Sequence, residues 1–291
     1  MTTSDAEALA YLATRLPATA AAMRQALVAV DHVMPGLEPS SQLDIGAGVG
    51  GAAWAARTVW PSLTEVALQE QDPRMIRLGK RLASARDEPA PMATWSWQQT
   101  DIIEGDLPAA DVVTAGYVLG ELDLADALAV AREAWRAARR LLVVVGPGTP
   151  GGFALIRAVR HELLGDGAAV VAPCPHERPC PIESPDWCHF TVRVERSPLH
   201  RNLKGGRLGY EDEKFSYVAI TRTNGRLPVG GRVLRHPVLR RRLVELQVCC
   251  DDGALRTARV GRSKAAYREA RSLRWGDLVS RDMFRDDDGL T

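Results

Sequence analysis

Gln42–Ala56, QLDIGAGVGGAAWAA, is the stretch whose reading decides the fold. Leu43 and Ile45 mark a short apolar strand, three glycines follow at alternate positions (Gly46, Gly48 and Gly50), and an alanine-rich helix begins at once. Glycine at such places lets the backbone turn sharply at positive φ and leaves main-chain N–H groups open to a ligand, with no Cβ in the way. Asp44 stands at the carboxyl end of the strand, where ligands of open α/β sheets collect. Alone, a G-x-G-x-G run also suits any tight strand-to-helix turn. Downstream, however, Val66–Glu70 (VALQE) reads as a second strand ending in an acid. An acid there accepts hydrogen bonds from both ribose hydroxyls of a nucleotide. Together the two features predict an adenosine-containing cofactor.

The dinucleotide fingerprint G-x-G-x-x-G/A spaces its last glycine three residues from the second, whereas the glycines here fall at steps of two. The run Leu43-Asp44-Ile45-Gly46-Ala47-Gly48-Val49-Gly50 resembles motif I of the Rossmann-like S-adenosylmethionine (SAM) methyltransferases. That resemblance implies a SAM site at Asp44, Gly46, Ala47, Gly48 and Gly50, with Glu70 on the ribose and Asp101 (in QTDII) near the adenine. NAD is the alternative cofactor.

Around this centre the pattern alternates strand and helix. Residues 1–40 form a helical lead-in, with Leu9, Leu12, Leu16, Met23, Leu27 and Val30 at helical spacing and a division at Pro17. Asp72 and Pro73 cap and open a helix, and Pro89 and Pro91 end the connection after it. Strands are expected at Thr94–Gln98, Asp111–Ala115 and Leu141–Val145, and helices at Leu124–Arg140 and Phe153–Leu164. The continuously apolar LLVVV suits a strand buried on both faces of a parallel sheet. Residues 41–222 are therefore expected to make a doubly wound α/β domain.

Regularity is lost from Val171 to Tyr210, so an irregular insertion is placed at 171–214. Strands at Phe215–Arg222 and Arg242–Cys250 follow, then a hairpin turn at Asp252-Gly253 into Ala254–Gly261, a basic helix at Ser263–Leu273 and an acidic tail. Residues 223–291 read as a small basic extension. The charge is unevenly divided: twelve Lys and Arg oppose eighteen Asp and Glu in residues 1–150, but twenty-five oppose eighteen in 151–291. The second half is thus the face expected to meet a polyanion, with Arg201–Arg207 and Arg235–Arg242 as candidate contacts. A hydrophobic content of 46% with 25% charged residues is ordinary for a globular protein. No apolar run reaches the roughly 18 residues of a bilayer span, and MTTSDAEALAYLATRLPATAAAM has no basic start before an apolar core. A cytoplasmic monomer without membrane association is expected.

Cysteine is clustered, at Cys174, Cys180 and Cys188, with a distant pair at Cys249-Cys250. A reducing compartment disfavours disulfides. The spacing C-x5-C-x7-C lacks the short C-x2–4-C knuckle of structural zinc sites, although His176 and His189 could complete one. Prolines directly after Cys174 and Cys180 suit the rigid turns of iron–sulfur loops. Cluster, zinc and unliganded thiols all fit the spacing. A long irregular loop in a compact domain does need some restraint other than secondary structure.

The run APCPHERPCP…DWCHF, with YEDEKFSYVAITR, CCDDG and RWGDL, resembles the methyltransferase-like assembly factors of the small ribosomal subunit found in mitochondria and many bacteria. The resemblance spans roughly residues 40–280. It implies a SAM-type Rossmann fold, a four-cysteine [4Fe–4S] cluster on Cys174, Cys180, Cys188 and Cys249 (Cys250 being the alternative fourth ligand), and association with 16S-type rRNA of the small subunit. Catalysis is a separate matter. After the fourth strand the chain reads Thr114-Ala-Gly-Tyr117-Val-Leu-Gly-Glu121, without the Asn/Asp-Pro-Pro-aromatic turn of exocyclic-amine methylation and without a Pro-Cys nucleophile. Tyr117 and Glu121 are the polar candidates there. A C-x3-C-x2-C radical-SAM loop is absent from the sequence. The competing function is an active SAM-dependent methyltransferase on a small molecule or protein, with a structural zinc.

Overall fold

The computed structural model describes residues 4–85, 94–223, 226–262 and 266–284. The chain lays down α1 (Asp5–Thr14), α2 (Leu16–Asp31), β1 (Ser41–Ile45), α3 (Gly51–Val59), β2 (Glu65–Glu70), α4 (Pro73–Ser84), β3 (Thr94–Gln99) and β4 (Ala110–Gly116). It continues through α5 (Leu124–Ala137), β5 (Ala138–Pro147), α6 (Pro150–Gly165), β6 (Ala169–Ala172), β7 (Phe190–Glu195), α7 (Pro198–Lys204) and β8 (Tyr210–Thr221). Last come β9 (Gly231–Val233), β10 (Val238–Arg240), β11 (Leu243–Cys250), β12 (Leu255–Gly261), α8 (Tyr267–Ser272) and β13 (Leu278–Val279).

β1 to β5 are parallel and ordered β3-β2-β1-β4-β5; β8 then joins β5 antiparallel and carries β6 and β7 on its other edge. This is the α/β Rossmann-like SAM methyltransferase fold that the glycine run predicts. The apolar run in β5 is explained by its two neighbours. Leu141, Val143 and Val145 enter the core under α2 and α3, whereas Leu142 and Val144 enter the core under α5 and α6. Each such burial contributes about 1.5–3 kcal/mol, so the strand anchors both layers.

The local signals work as chemistry dictates. Asp72 accepts the Arg74 N–H at the start of α4, and Thr149 caps α6 through the Gly152 N–H. Pro17 sits in the first turn of α2, where its missing N–H is not needed, and the helices part at Arg15. Helix α5 stops at Ala137, three residues before the predicted end, because Ala138–Arg140 already belong to β5.

The largest correction falls in the insertion. Residues 171–214 were expected to be irregular, yet they hold β7 and α7, and β8 starts at Tyr210 instead of Phe215. FTVRVE does alternate, but Pro- and Gly-rich flanks shorten the run below what its pattern reveals. From Pro173 to His189 the backbone is without helix or strand.

A second sheet of five strands, ordered β10-β11-β9-β13 with β12 on β11, follows residue 230. Val244, Leu246, Val248 and Cys250 point into its own core against Ala258 and Ala270. The predicted turn at Asp252-Gly253 joins β11 to β12, with Gly253 at φ +84°. Helix α8 is shorter than predicted, and residues 263–265, the acidic tail from 285 and Pro89 and Pro91 lie outside the described residues. Arg232, buried in β9, locks the sheets together: Nε donates to Pro173 O (2.7 Å) and Nη1 to Gly276 O (2.8 Å). Trp275 Nε1 donates to His189 O (3.0 Å) across the same seam.

Candidate functional site

Two sites emerge, one at the glycine turn and one at the cysteines. In the first, Gly46, Gly48 and Gly50 adopt φ of +61°, +56° and +90°. A Cβ on Gly46 would stand 2.3 Å from Val118 Cγ2, so the turn closes only with glycine there. Glu70 ties the turn to β2: Oε2 accepts the Gly48 N–H and Oε1 the Asp72 N–H, both at 2.8 Å. Burial raises the Glu70 carboxyl, against the lowering effect of those N–H groups.

Asp44 is fully buried beneath the turn. Thr114 Oγ1 donates to its Oδ1 (2.7 Å), while Oδ2 has no partner of full hydrogen-bond geometry. Burial pushes its carboxyl up to about 7, with the Thr114 hydroxyl pulling the other way and the Glu70 charge adding to the rise. A small pocket of about 30 Å³ opens among Asp44, Gly46, Ala47, Gly116 and Tyr117, roofed by Tyr11, Thr19 and Met23 of α1 and α2. Tyr117 occupies the left-handed region at φ +66°, strained for a tyrosine. Its hydroxyl donates to Glu213 Oε1 (2.9 Å), and Glu213 pairs with Arg15 at 3.7 Å. Burial and the Glu213 carboxylate raise the phenol far above its usual range, so it is a proton donor at neutral pH.

Asp101 and Glu121 do not line this pocket. Asp101 is exposed in the turn after β3, accepting the Ile103 N–H (2.9 Å). Glu121 is exposed in a 3-10 turn at Leu119–Glu121.

The second site gathers distant parts of the chain. Cys174, Cys180, Cys188 and Cys249 line one cavity of about 40 Å³, walled by Phe153, Ile156 and Arg160 of α6 and by Tyr217 of β8. One water needs roughly 10–15 Å³ on this measure, so the space exceeds a single solvent molecule. Cys250 faces the other side of β11 and packs in the second sheet's core. Burial drives the Cys188 thiol well above its ordinary value, and the charges of Cys174, Cys180 and Cys249 push the same way. Cys174, Cys188 and Cys249, all raised by burial, thus stay protonated unless a cation compensates them, and a bound metal inverts that balance. Among the described residues, no group of three or more His, Cys, Asp and Glu forms a ready site for one metal ion.

The two predicted histidines differ. His176 Nε2 lies 3.3 Å from Cys249 Sγ with its buried Nδ1 unpartnered. His189 is turned away, stacked on Trp187 at 5.0 Å and edge-on to Trp275. The sulfur-rich donor set, the room between the sulfurs and an unpartnered buried Arg160 Nε at the wall fit an anionic metal–thiolate centre.

Sequence reasoning missed Arg160 and Arg232, both buried. Arg160 was visible in principle, since it falls in helical phase with Phe153, Ile156 and Leu163 on the apolar face of α6. Of the predicted basic segments, Arg240, Arg241 and Arg242 are exposed, with Arg240 paired to Glu245 at 3.7 Å. Arg201 and Arg207 are exposed as well, whereas Arg235 bonds Asp186 and the Trp187 carbonyl.

A family model described as "Mitochondrial small ribosomal subunit Rsm22" matches residues 5–280. The chain belongs to this family. Among Rsm22 relatives, the human "Ribosome assembly protein METTL17, mitochondrial" is 31% identical over 288 residues, covering 93% of this chain and 62% of that protein. "Rsm22-cox11 tandem protein 2, mitochondrial" of Schizosaccharomyces pombe is 28% identical over 95% of this chain and 43% of its own length. The chain therefore spans less than two thirds of the relatives it matches. Among solved structures, a SAM-dependent methyltransferase from Aquifex aeolicus aligns with 76% of this chain and 100% of its own, at 13% identity and a TM-score of 0.45.

Proposed function

We propose that this Rsm22-family chain is a SAM-binding, [4Fe–4S]-containing, methyltransferase-like protein that acts in assembly of the small ribosomal subunit by contacting its 16S-type rRNA. The observation that carries the reading is the shared cavity of Cys174, Cys180, Cys188 and Cys249, in a family whose relatives are named as ribosome assembly proteins. Those four cysteines would hold the cluster, a donor set of the kind that binds a [4Fe–4S] centre. A cluster held there would supply the positive charge that lets the raised thiols of Cys174, Cys188 and Cys249 ionise, and would tie the loop of residues 173–189 to β11.

SAM binding is supported by the positive-φ glycine turn, the unfilled Asp44 Oδ2 and Glu70 at the end of β2. Asp44 and Glu70 would hold polar groups of the cofactor, which supplies a sulfonium methyl group. The chain offers little beyond holding it: the Tyr117 hydroxyl is already donated to Glu213, so no free base faces the pocket from β4. Binding without turnover is the function assigned to this site. Exposed Arg240, Arg241 and Arg242 supply charge for rRNA phosphates.

Anaerobically purified protein tests the reading. It should be brown, absorb broadly near 400 nm and carry about four irons with matching sulfide per chain. A colourless protein with one zinc overturns the cluster. Cosedimentation with small subunits should weaken steeply with salt as counterions are released, and salt-insensitive binding overturns rRNA as the contact.

A further inference from the structure

Arg160 projects from α6 on the same face as Phe153 and Ile156 and is only 6% exposed. A guanidinium on an apolar helix stripe is rare unless paired. Part of its donor set is used: Nη2 donates to the carbonyls of His176 (2.8 Å) and Arg178 (2.9 Å), fixing the loop between Cys174 and Cys180. Nε is buried and has no partner of full hydrogen-bond geometry. It belongs to a side chain that lines the four-cysteine cavity and faces Cys174. The nearby arginines are engaged otherwise. Arg232 spends Nε and Nη1 on carbonyls of Pro173 and Gly276. Arg157, one turn earlier on α6, is exposed and reaches the Ile182 carbonyl at 3.4 Å.

We infer that Arg160 is the hydrogen-bond donor and counter-charge for the metal–thiolate centre, its Nε–H directed at the Cys174 sulfur or a cluster sulfide. This role rests on the iron–sulfur reading above. A cluster held by four thiolates carries net negative charge, and one more electron adds to it. A buried positive donor at its edge favours the reduced form, and hydrogen bonds to cluster sulfurs act in the same direction. Because the same side chain holds two carbonyls of the cysteine loop, ligand placement and cluster electronics are set by one residue. Arg160 is thus a positioning and tuning residue, separate from the four ligands.

The test uses the full chain, reconstituted anaerobically with iron and sulfide and titrated with dithionite under electron paramagnetic resonance. Arg160→Gln keeps an amide donor but no charge, Arg160→Lys keeps the charge, and Arg157→Gln removes a charge that is exposed to water. Arg160→Gln should hold iron and sulfide as wild type does while its reduced-to-oxidised ratio at a fixed potential falls at least tenfold, about 59 mV more negative for a one-electron couple. Arg160→Lys should show a smaller shift, and Arg157→Gln, at the water-exposed edge of the same cavity, a smaller one still. Iron lost from Arg160→Gln but retained by Arg160→Lys also supports the role, since charge then holds the anionic centre. An Arg160→Gln protein with full iron and an unchanged potential overturns it. Equal iron loss from both Arg160 variants overturns it too, leaving a brace for the loop carbonyls alone. Wild-type protein free of iron and sulfide overturns the iron–sulfur reading itself, and this role with it.

Discussion

Asp44 shows how one residue can carry both a site and a liability. Its carboxyl titrates at about 7 in the folded chain against an ordinary 3.8, so between those values the folded state binds the extra proton and stability falls as pH rises. The full loss is at most about 4 kcal/mol, reached once pH passes 7. Asp44→Asn removes this dependence: the stability difference between variant and wild type, measured by urea unfolding, should move in the variant's favour from pH 4 to pH 7 and stay constant above. Gly46→Ala acts through sterics alone. Its Cβ meets Val118 at 2.3 Å in a backbone at φ +61°, and the cost should be about 2 kcal/mol in the same assay. Both residues were legible from the quoted run, because a strand, an acid and a turn that only glycine can make are local facts. The roof of the pocket was not. Tyr11 and Met23 come from helices whose sequence shows amphipathic spacing and nothing of what they cover.

At the scale of elements, the cysteine loop is held by neighbours instead of by its own regular structure. Substituting Cys174, Cys188 or Cys249 by Ser should each reduce bound iron by more than half, measured by chelation assay on anaerobic protein. Cys250→Ser should retain it, because that side chain packs with Ala258 and Val260 on the far side of β11. Arg232→Met tests the seam directly. It strands the buried carbonyl of Pro173 and the partly buried one of Gly276, and chemical denaturation should show a loss of about 3 kcal/mol. The spacing of the cysteines named the loop, and strand alternation in RLVELQVCC shows that adjacent Cys249 and Cys250 face opposite ways. Which face met the loop depends on how the second sheet docks, and no local pattern encodes docking. Strand β7 escaped for a related reason: six residues between proline- and glycine-rich flanks carry too few periods to stand out.

Across the whole molecule, charge is divided as the sequence indicates, with the exposed arginines Arg240, Arg241 and Arg242 grouped at the β10–β11 turn. Replacing all three by Ala should lower the salt slope of small-subunit binding by about two to three counterions, read by cosedimentation across a range of potassium chloride. Thermal stability should change little, since surface substitutions of this kind usually stay within about 0.5 kcal/mol each. The parallel core was the most legible part of the fold, because LLVVV and the glycine turn fix a doubly wound sheet between them. Helix α5, by contrast, yielded its last turn to β5 once strand pairing competed with helix propensity.

The position of Cys249 also sets a schedule. Three of the cavity's thiols are in place by residue 188, but the last arrives with β11, about sixty residues later. A nascent polypeptide therefore exposes Cys174, Cys180 and Cys188 to the surrounding thiol and metal pools through the synthesis of some sixty further residues. On the iron–sulfur reading, loading of the centre would follow synthesis of β11, and a chain truncated before β11 would lack the fourth thiol that closes the loop.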